Sequence, residues 1–219
     1  MNTIFSRLRR MGRPVAALSL VLAPAGAMVL PQPLAAQAPQ TDIDRAVAAL
    51  RGITTLRANF VQTDRTGQSV SGVLTLKRPG KVRFQYEKGV PLLIVGDGKA
   101  LTMIDYEVRQ VQRWPIGNSP LGALLDPQKD VARFAQQIPT GASGVVSLRV
   151  RDPKHPEYGT ITMIFARNGA APGGLQLDSW VATDAQNKQT TVRLSGHEYG
   201  VAVDDKTFRW TDPRPASRR

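Results

Sequence analysis

From Thr54 onward apolar and polar residues exchange at every second position, in short runs separated by glycine, proline and aspartate turns. An extended strand with one buried face reads this way and a helix does not. Leu56, Ala58 and Phe60 alternate with Arg57 and Asn59, and Gly67-Gln-Ser69 turns the chain. Leu74, Leu76 and Arg78 then share one face, and beyond Pro79-Gly80 the residues Val82, Phe84 and Tyr86 alternate with Arg83, Gln85 and Glu87. Leu92 to Val95 is a short buried run, Asp97-Gly98 is a hairpin signal leading into Leu101 to Ile104, and Asp105-Tyr106-Glu107 turns into Val108 to Trp114. Six strands joined by short turns form an antiparallel meander. Further strands over Val145–Val150, Thr160–Phe165, Leu175–Val181, Thr190–Leu194 and Phe208–Trp210 bring the total to about eleven.

Helical spacing appears in three places. Thr41 and Asp44 make a capping-box start, after which Ile43, Val47 and Leu50 recur up to Gly52 with Arg45 and Arg51 on the wet side. Ser119-Pro120 opens a second segment, closed by Pro127, in which Leu121, Leu124 and Leu125 form one apolar stripe. The segment is too short to be stable alone, so it holds only by docking. Asp130 to Ile138 reads as a third helix, with Val131, Phe134 and Ile138 on one side. The expected fold is mainly β with α: an incomplete antiparallel barrel of about eleven strands covered by a lid of short helices. Parity gathers Leu56, Phe60, Leu74, Leu76, Val82 and Phe84 on one face, and Leu93, Val95, Leu101 and Met103 are expected to join them. Alternation alone leaves open whether these fill an ordinary core or line an apolar hollow.

Residues 1–38 stand apart from this pattern. Arg7, Arg9, Arg10 and Arg13 open the chain without an acid, Val15 to Leu30 is an apolar run, and Pro31 to Ala38 is a small-residue zone. That is the layout of a cleaved secretory signal peptide, with cleavage after Ala36 or Ala38. The run is short for a spanning helix, and the residues after Arg9-Arg10 lack the hydrophobic pair of a twin-arginine signal. Loss of these four arginines lowers the net charge from +12 to +8. The remaining cations are scattered rather than striped with aromatics, which argues against nucleic acid and for anionic headgroups or an acidic partner outside the cytoplasm. The expected domain runs from 39 to 213, followed by a basic tail over 214–219.

Recognisable catalytic chemistry is missing. The absence of cysteine removes disulfides, thiolate metal sites and thiol nucleophiles. His155 and His197 lie at no metal-ligand spacing, and Asp204-Asp205 are neighbours whose side chains diverge. Gly96-Asp-Gly98 lacks the third glycine of a dinucleotide loop and is explained as a hairpin turn. No catalytic residue, metal site or cofactor is assigned. A secreted lipid hydrolase would need a nucleophile and base that cannot be found.

Four stretches in order carry a resemblance: Leu56-Arg-Ala-Asn-Phe60-Val-Gln62; Gly72-Val-Leu-Thr-Leu-Lys77-Arg78-Pro79-Gly80-Lys81; Leu93-Ile-Val-Gly-Asp97-Gly98-Lys99; and Pro120-Leu-Gly-Ala-Leu-Leu125. With the ending Asp205-Lys-Thr-Phe208-Arg-Trp, they resemble the periplasmic outer-membrane lipoprotein carrier family, from about Asp42 to Pro213. The resemblance implies a monomeric periplasmic shuttle that takes acylated lipoproteins from an inner-membrane ATP-driven exporter to an outer-membrane receptor. The receptor of such a pathway is itself a lipoprotein, and this chain has no cysteine to acylate, so it resembles the carrier. Val82 and Phe84 stand where the family commonly has an aromatic pair, and Leu101-Thr-Met103-Ile104 replaces an aromatic cluster, implying a roomier, more aliphatic cavity. The same half-barrel also suits a carrier or sensor of another amphiphile, such as a glycolipid or a stress-signalling lipoprotein.

Arg78 is the polar residue that parity places on the apolar face, two positions beyond Leu76, while Lys77 points away. A guanidinium there must find acceptors or reach the rim. By resemblance it holds lid-helix backbone and keeps the empty cavity closed.

Overall fold

The first helix, α1 (Asp42–Gly52), starts where its capping box requires: the Asp44 amide donates to Thr41 Oγ1 at 3.1 Å, and the Thr41 amide donates to Asp44 Oδ2 at 3.2 Å. Its buried side, Ala46, Val47, Ala49 and Leu50, faces the sheet's core. The computed structural model describes residues 41–119, 121–125 and 130–215. The proposed signal peptide over 1–38, the prolines 120 and 127 that bracket the second helix, and the end of the basic tail lie outside these residues.

The strands β1 (Thr55–Asp64), β2 (Ser69–Lys77), β3 (Lys81–Tyr86), β4 (Leu92–Asp97), β5 (Ala100–Asp105) and β6 (Gln110–Pro115) form the expected meander. Two one-turn helices follow, α2 (Gly122–Leu125) and α3 (Val131–Phe134). The chain then forms a second meander of β7 (Ala135–Ile138), β8 (Val145–Arg151), β9 (Thr160–Arg167), β10 (Leu175–Thr183) and β11 (Gln189–Tyr199). One non-sequential pairing, β1 with β11, joins the two into a single sheet ordered 6-5-4-3-2-1-11-10-9-8-7. β6 and β7 are its two ends, and the connection carrying α2 and α3 runs between them.

Two expectations are corrected. The helix expected over Asp130–Ile138 stops at Phe134, and Ala135–Ile138 pairs as β7 with Ile138 opposite Ser147 and Ala135 opposite Val150. Pairing with the next strand outweighs a local 3.6-residue pattern here. The strand expected over Phe208–Trp210 is absent: Asp205–Phe208 is a 3₁₀ turn capped by the Asp204 carboxylate on the Lys206 amide at 2.8 Å. The total of eleven strands stands because these two differences compensate.

The concave face is aromatic at its centre. Phe60 meets Phe84 and Tyr86 edge-on, with ring centroids 5.4 and 5.2 Å apart, and Trp180 meets Phe84 at 6.3 Å. Gly72 makes the cluster possible, since a Cβ there would lie 2.8 Å from the Phe60 ring.

Candidate functional site

Leu56, Phe60, Leu74, Leu76, Val82 and Phe84, the residues that parity gathers, are all at most 3% exposed and pack beneath α1 and α2. Leu101 joins them, and Met103, opposite Ile94 across β4–β5, is half-buried on the same side. Leu93 and Val95 are corrected. Phe84 pairs with Ile94, so Leu92 and Ile94 point inward while Leu93 and Val95 lie on the convex face in a separate cluster with Ile104 and Phe208.

Most of the concave face is therefore filled core, and a cavity of about 340 Å³ remains beside it. Phe84, Ile94, Leu101, Trp114, Trp180 and Val192 form its apolar wall. Leu121 covers it from the α2 side, and Gln62, Asp184, Lys188 and Thr190 lie at its polar margin. The Asp184 carboxylate is engaged in its own turn, accepting from the Gln186 and Lys188 amides at 2.9 and 2.8 Å. Trp114, Trp180 and Val192 were not anticipated as lining residues. Tyr86 lies deeper, its hydroxyl donating to Gln62 Oε1 at 2.8 Å, and burial pushes its pKa up to about 12.

Leu124 and Leu125 are buried, at 3% and 1% exposure, whereas Leu121 is half-buried. Across them reaches Arg78. Its Nη2 donates to the Leu50 carbonyl of α1 at 2.7 Å and its Nη1 to the Leu125 carbonyl of α2 at 3.4 Å. Carbonyls in the last turn of a helix have no intrahelical partner, so one guanidinium ties together two helix ends that the backbone leaves open.

The convex face carries a different cover. Residues 201–210 lie against β2–β5: Lys77 Nζ donates to the Val203 carbonyl at 2.9 Å and to Asp205 Oδ1 at 2.7 Å, and Lys81 reaches Asp205 Oδ2 at 3.0 Å. Arg83 Nη1 donates to the carbonyls of Thr207 and Arg209 at 3.1 and 3.0 Å. Phe208 closes onto Leu93, Val95 and Ile104, with Val203 and Trp210 beside it. The two lysine ammonium groups on Asp205 hold its carboxyl below the usual carboxylate range.

The histidines lie elsewhere. His197 Nε2 is 2.8 Å from the Leu177 carbonyl, and His155 Nδ1 is 2.9 Å from Glu157. Among the described residues no group of three or more His, Asp or Glu side chains is placed to hold a metal ion. None of their helices is long and apolar enough to cross a membrane.

A curved antiparallel sheet, open between its end strands, with helices tied over an apolar concave face, defines a half-barrel of the binding type. The family profile described as outer membrane lipoprotein carrier protein LolA matches residues 51–211. The chain belongs to that family, as the ordered sequence stretches implied. It is 30% identical to the outer-membrane lipoprotein carrier protein of Chromobacterium violaceum over 83% of this chain and 88% of that one. To the protein of the same description from Nitrosospira multiformis it is 33% identical, over 79% and 86% respectively. Among solved structures, a LolA-superfamily protein from Nitrosomonas europaea aligns at 10% identity and a TM-score of 0.45, covering 76% of this chain and 97% of that one.

Proposed function

We propose that this protein carries the acyl chains of lipoproteins through the periplasm, taking them from an inner-membrane ATP-driven exporter and yielding them to an outer-membrane receptor. Residues 1–38 serve export and are then removed, and the carrier acts as a monomer without cofactor or catalysis. The observation that supports this most is the Arg78 link between the carbonyls of Leu50 and Leu125 beside an apolar cavity.

Each methylene kept from water is worth about 0.8 kcal/mol, so three chains of roughly 15 methylenes represent on the order of 35 kcal/mol. A space of about 340 Å³ is at the small end for ligand pockets and cannot enclose such a load. Acyl chains therefore need α1 and α2 to separate from the concave face, which means breaking the Arg78 bonds to the Leu50 and Leu125 carbonyls. Each is worth on the order of 1 kcal/mol net, strong enough to bias an empty carrier closed and weak enough for an entering chain to displace. Leu121, Leu124 and Leu125 form the moving inner side. Leu56, Phe60, Leu74, Leu76, Val82, Phe84, Leu101 and Met103 become the chain-facing wall when they separate.

Mass spectrometry of the protein purified from its native envelope tests this reading. Co-purified acylated polypeptide is the expected result. Glycolipid or free lipid in its place would make the protein a carrier or sensor of another amphiphile, and recovery chiefly in the membrane pellet after a salt wash would overturn a free periplasmic shuttle.

A further inference from the structure

At the β7–β8 end of the sheet, beside α3, lies a groove of about 640 Å³ that shares no lining residue with the apolar cavity. Arg149 and Arg151 project into it from alternate positions of β8, roughly 7 Å apart by strand geometry. Arg133 of α3 and Lys154 of the following loop complete a ring of four cations, with Phe134 and Pro153 as apolar walls. Arg133 is steadied over the Phe134 ring, its guanidinium carbon 5.5 Å from the centroid.

What marks this group is that four cations without a carboxylate partner share one groove. Arg45, Arg57, Lys77, Lys81, Arg113, Arg167 and Arg214 each pair with a carboxylate, but none of the four groove cations does among the described residues. The neighbouring acids are engaged with backbone: Asp130 Oδ1 accepts from the Arg133 amide at 3.3 Å and Asp152 Oδ1 from the Lys154 amide at 2.9 Å. Like charges gathered on one sheet face repel one another, and an anion in the groove relieves that repulsion. Three planar guanidinium forks suit the tetrahedral, multiply accepting oxygens of phosphate better than a single carboxylate. The volume exceeds a bare phosphate, and the apolar walls suit the organic part of a headgroup.

We infer that the groove bounded by Arg133, Arg149, Arg151 and Lys154 binds a phosphate group, presented by a phospholipid headgroup or free in solution. The site is separate from the acyl-chain cavity and does not depend on what that cavity carries.

Titration with inorganic phosphate, followed through the side-chain Nε–H signals of Arg133, Arg149 and Arg151, tests the shared chemistry. Vesicles of phosphatidylglycerol and of phosphatidylcholine separate the two sources. Shifts confined to these arginines, with phosphatidylglycerol vesicles competing, assign the site to a lipid surface; shifts without such competition assign it to free phosphate. The Arg149→Ala/Arg151→Ala variant should bind at least roughly tenfold more weakly, whereas the charge-matched control Arg65→Ala/Lys88→Ala should change less than about twofold. All four positions are exposed, so both variants fold. The absence of phosphate-induced shifts overturns the inference. So do equal losses in the two variants, which mean diffuse charge, or a poly-glutamate peptide in the groove that phosphate does not displace, which means an acidic protein partner.

Discussion

The sheet is covered on both faces, and the two covers are built differently. On the concave side the cover is two helices, one of them a single turn, docked through leucines and tied by arginine bonds to backbone carbonyls. On the convex side it is an extended segment fastened by Lys77, Lys81 and Arg83 and plugged by Phe208. A bond to a terminal carbonyl leaves that carbonyl able to take water when it opens, so the bond itself costs little to break, and an entering acyl chain can replace the apolar contacts that the leucines give up. Removing a large aromatic side chain from a closed apolar cluster is costly and yields no compensating contact. Under the proposed function the concave cover leaves the sheet and the convex one stays.

The largest expected effect breaks the concave cover. Leu124→Asp places a carboxylate at a position only 3% exposed, and α2 cannot dock with it there. Acylated polypeptide should disappear from the purified protein while its far-UV circular dichroism keeps the sheet signal. A variant that still co-purifies with normal cargo removes α2 from the proposed site, and one that loses the sheet signal makes α2 permanent core.

Next comes the convex anchor. Phe208→Ala should lower unfolding stability by about 3 kcal/mol, in the range for truncating a buried aromatic. Cargo retention per folded molecule should not change. Urea unfolding with a retention assay on the same samples checks both halves, and lost retention at unchanged stability would reverse the roles of the two covers.

How legible each cover is in the sequence follows from parity. Strict alternation through Leu74, Leu76 and Val82, Phe84 extends to Arg78, whose inward direction is therefore readable even though its carbonyl partners are not. Leu92 to Val95 is a continuous apolar run without alternation, and only the pairing of Phe84 with Ile94 reveals that Leu93 and Val95 face outward. Trp180 was hidden by the register shift between Leu177 and Ser179. Leu177 and Trp180 both face inward although an odd number of positions separates them, because a bulge reverses the parity between them. The end of the convex strap, Phe208–Trp210, reads as a strand because its aromatic residues have strand composition. Its fixing groups, Lys77, Lys81 and Arg83, lie more than a hundred residues away.

Arg78→Leu sharpens the contrast with a smaller effect on stability, about 1 kcal/mol, since an apolar side chain replaces a half-buried cation. Its consequence is kinetic. Without the two carbonyl bonds the empty closed form loses its advantage, and release of cargo no longer regains them. Hand-over to the receptor should slow several-fold while loading persists, read in a transfer assay with acylated lipoprotein. Equal transfer rates for variant and parent would leave Arg78 as a structural rim residue.

The smallest effect is set by acid. Asp205 carries a lowered pKa, chiefly through the hydrogen bonds from Lys77 and Lys81, whereas the Leu50 and Leu125 carbonyls that accept from Arg78 do not titrate. A carboxyl whose folded pKa lies below its unfolded value contributes stability that is complete above that unfolded value, 3.8, and is lost as pH falls through the folded one. Amide exchange across residues 201–210 should therefore quicken, relative to α1, only below about pH 4. Asp205→Asn should produce the same local loosening at neutral pH, because the two lysines lose their charged acceptor. The difference between variant and parent should then vanish in acid, once the parent carboxyl is also neutral. A change that appears equally in residues 122–125 would show that both covers loosen together, and the distinction between a fixed strap and a movable lid would fail.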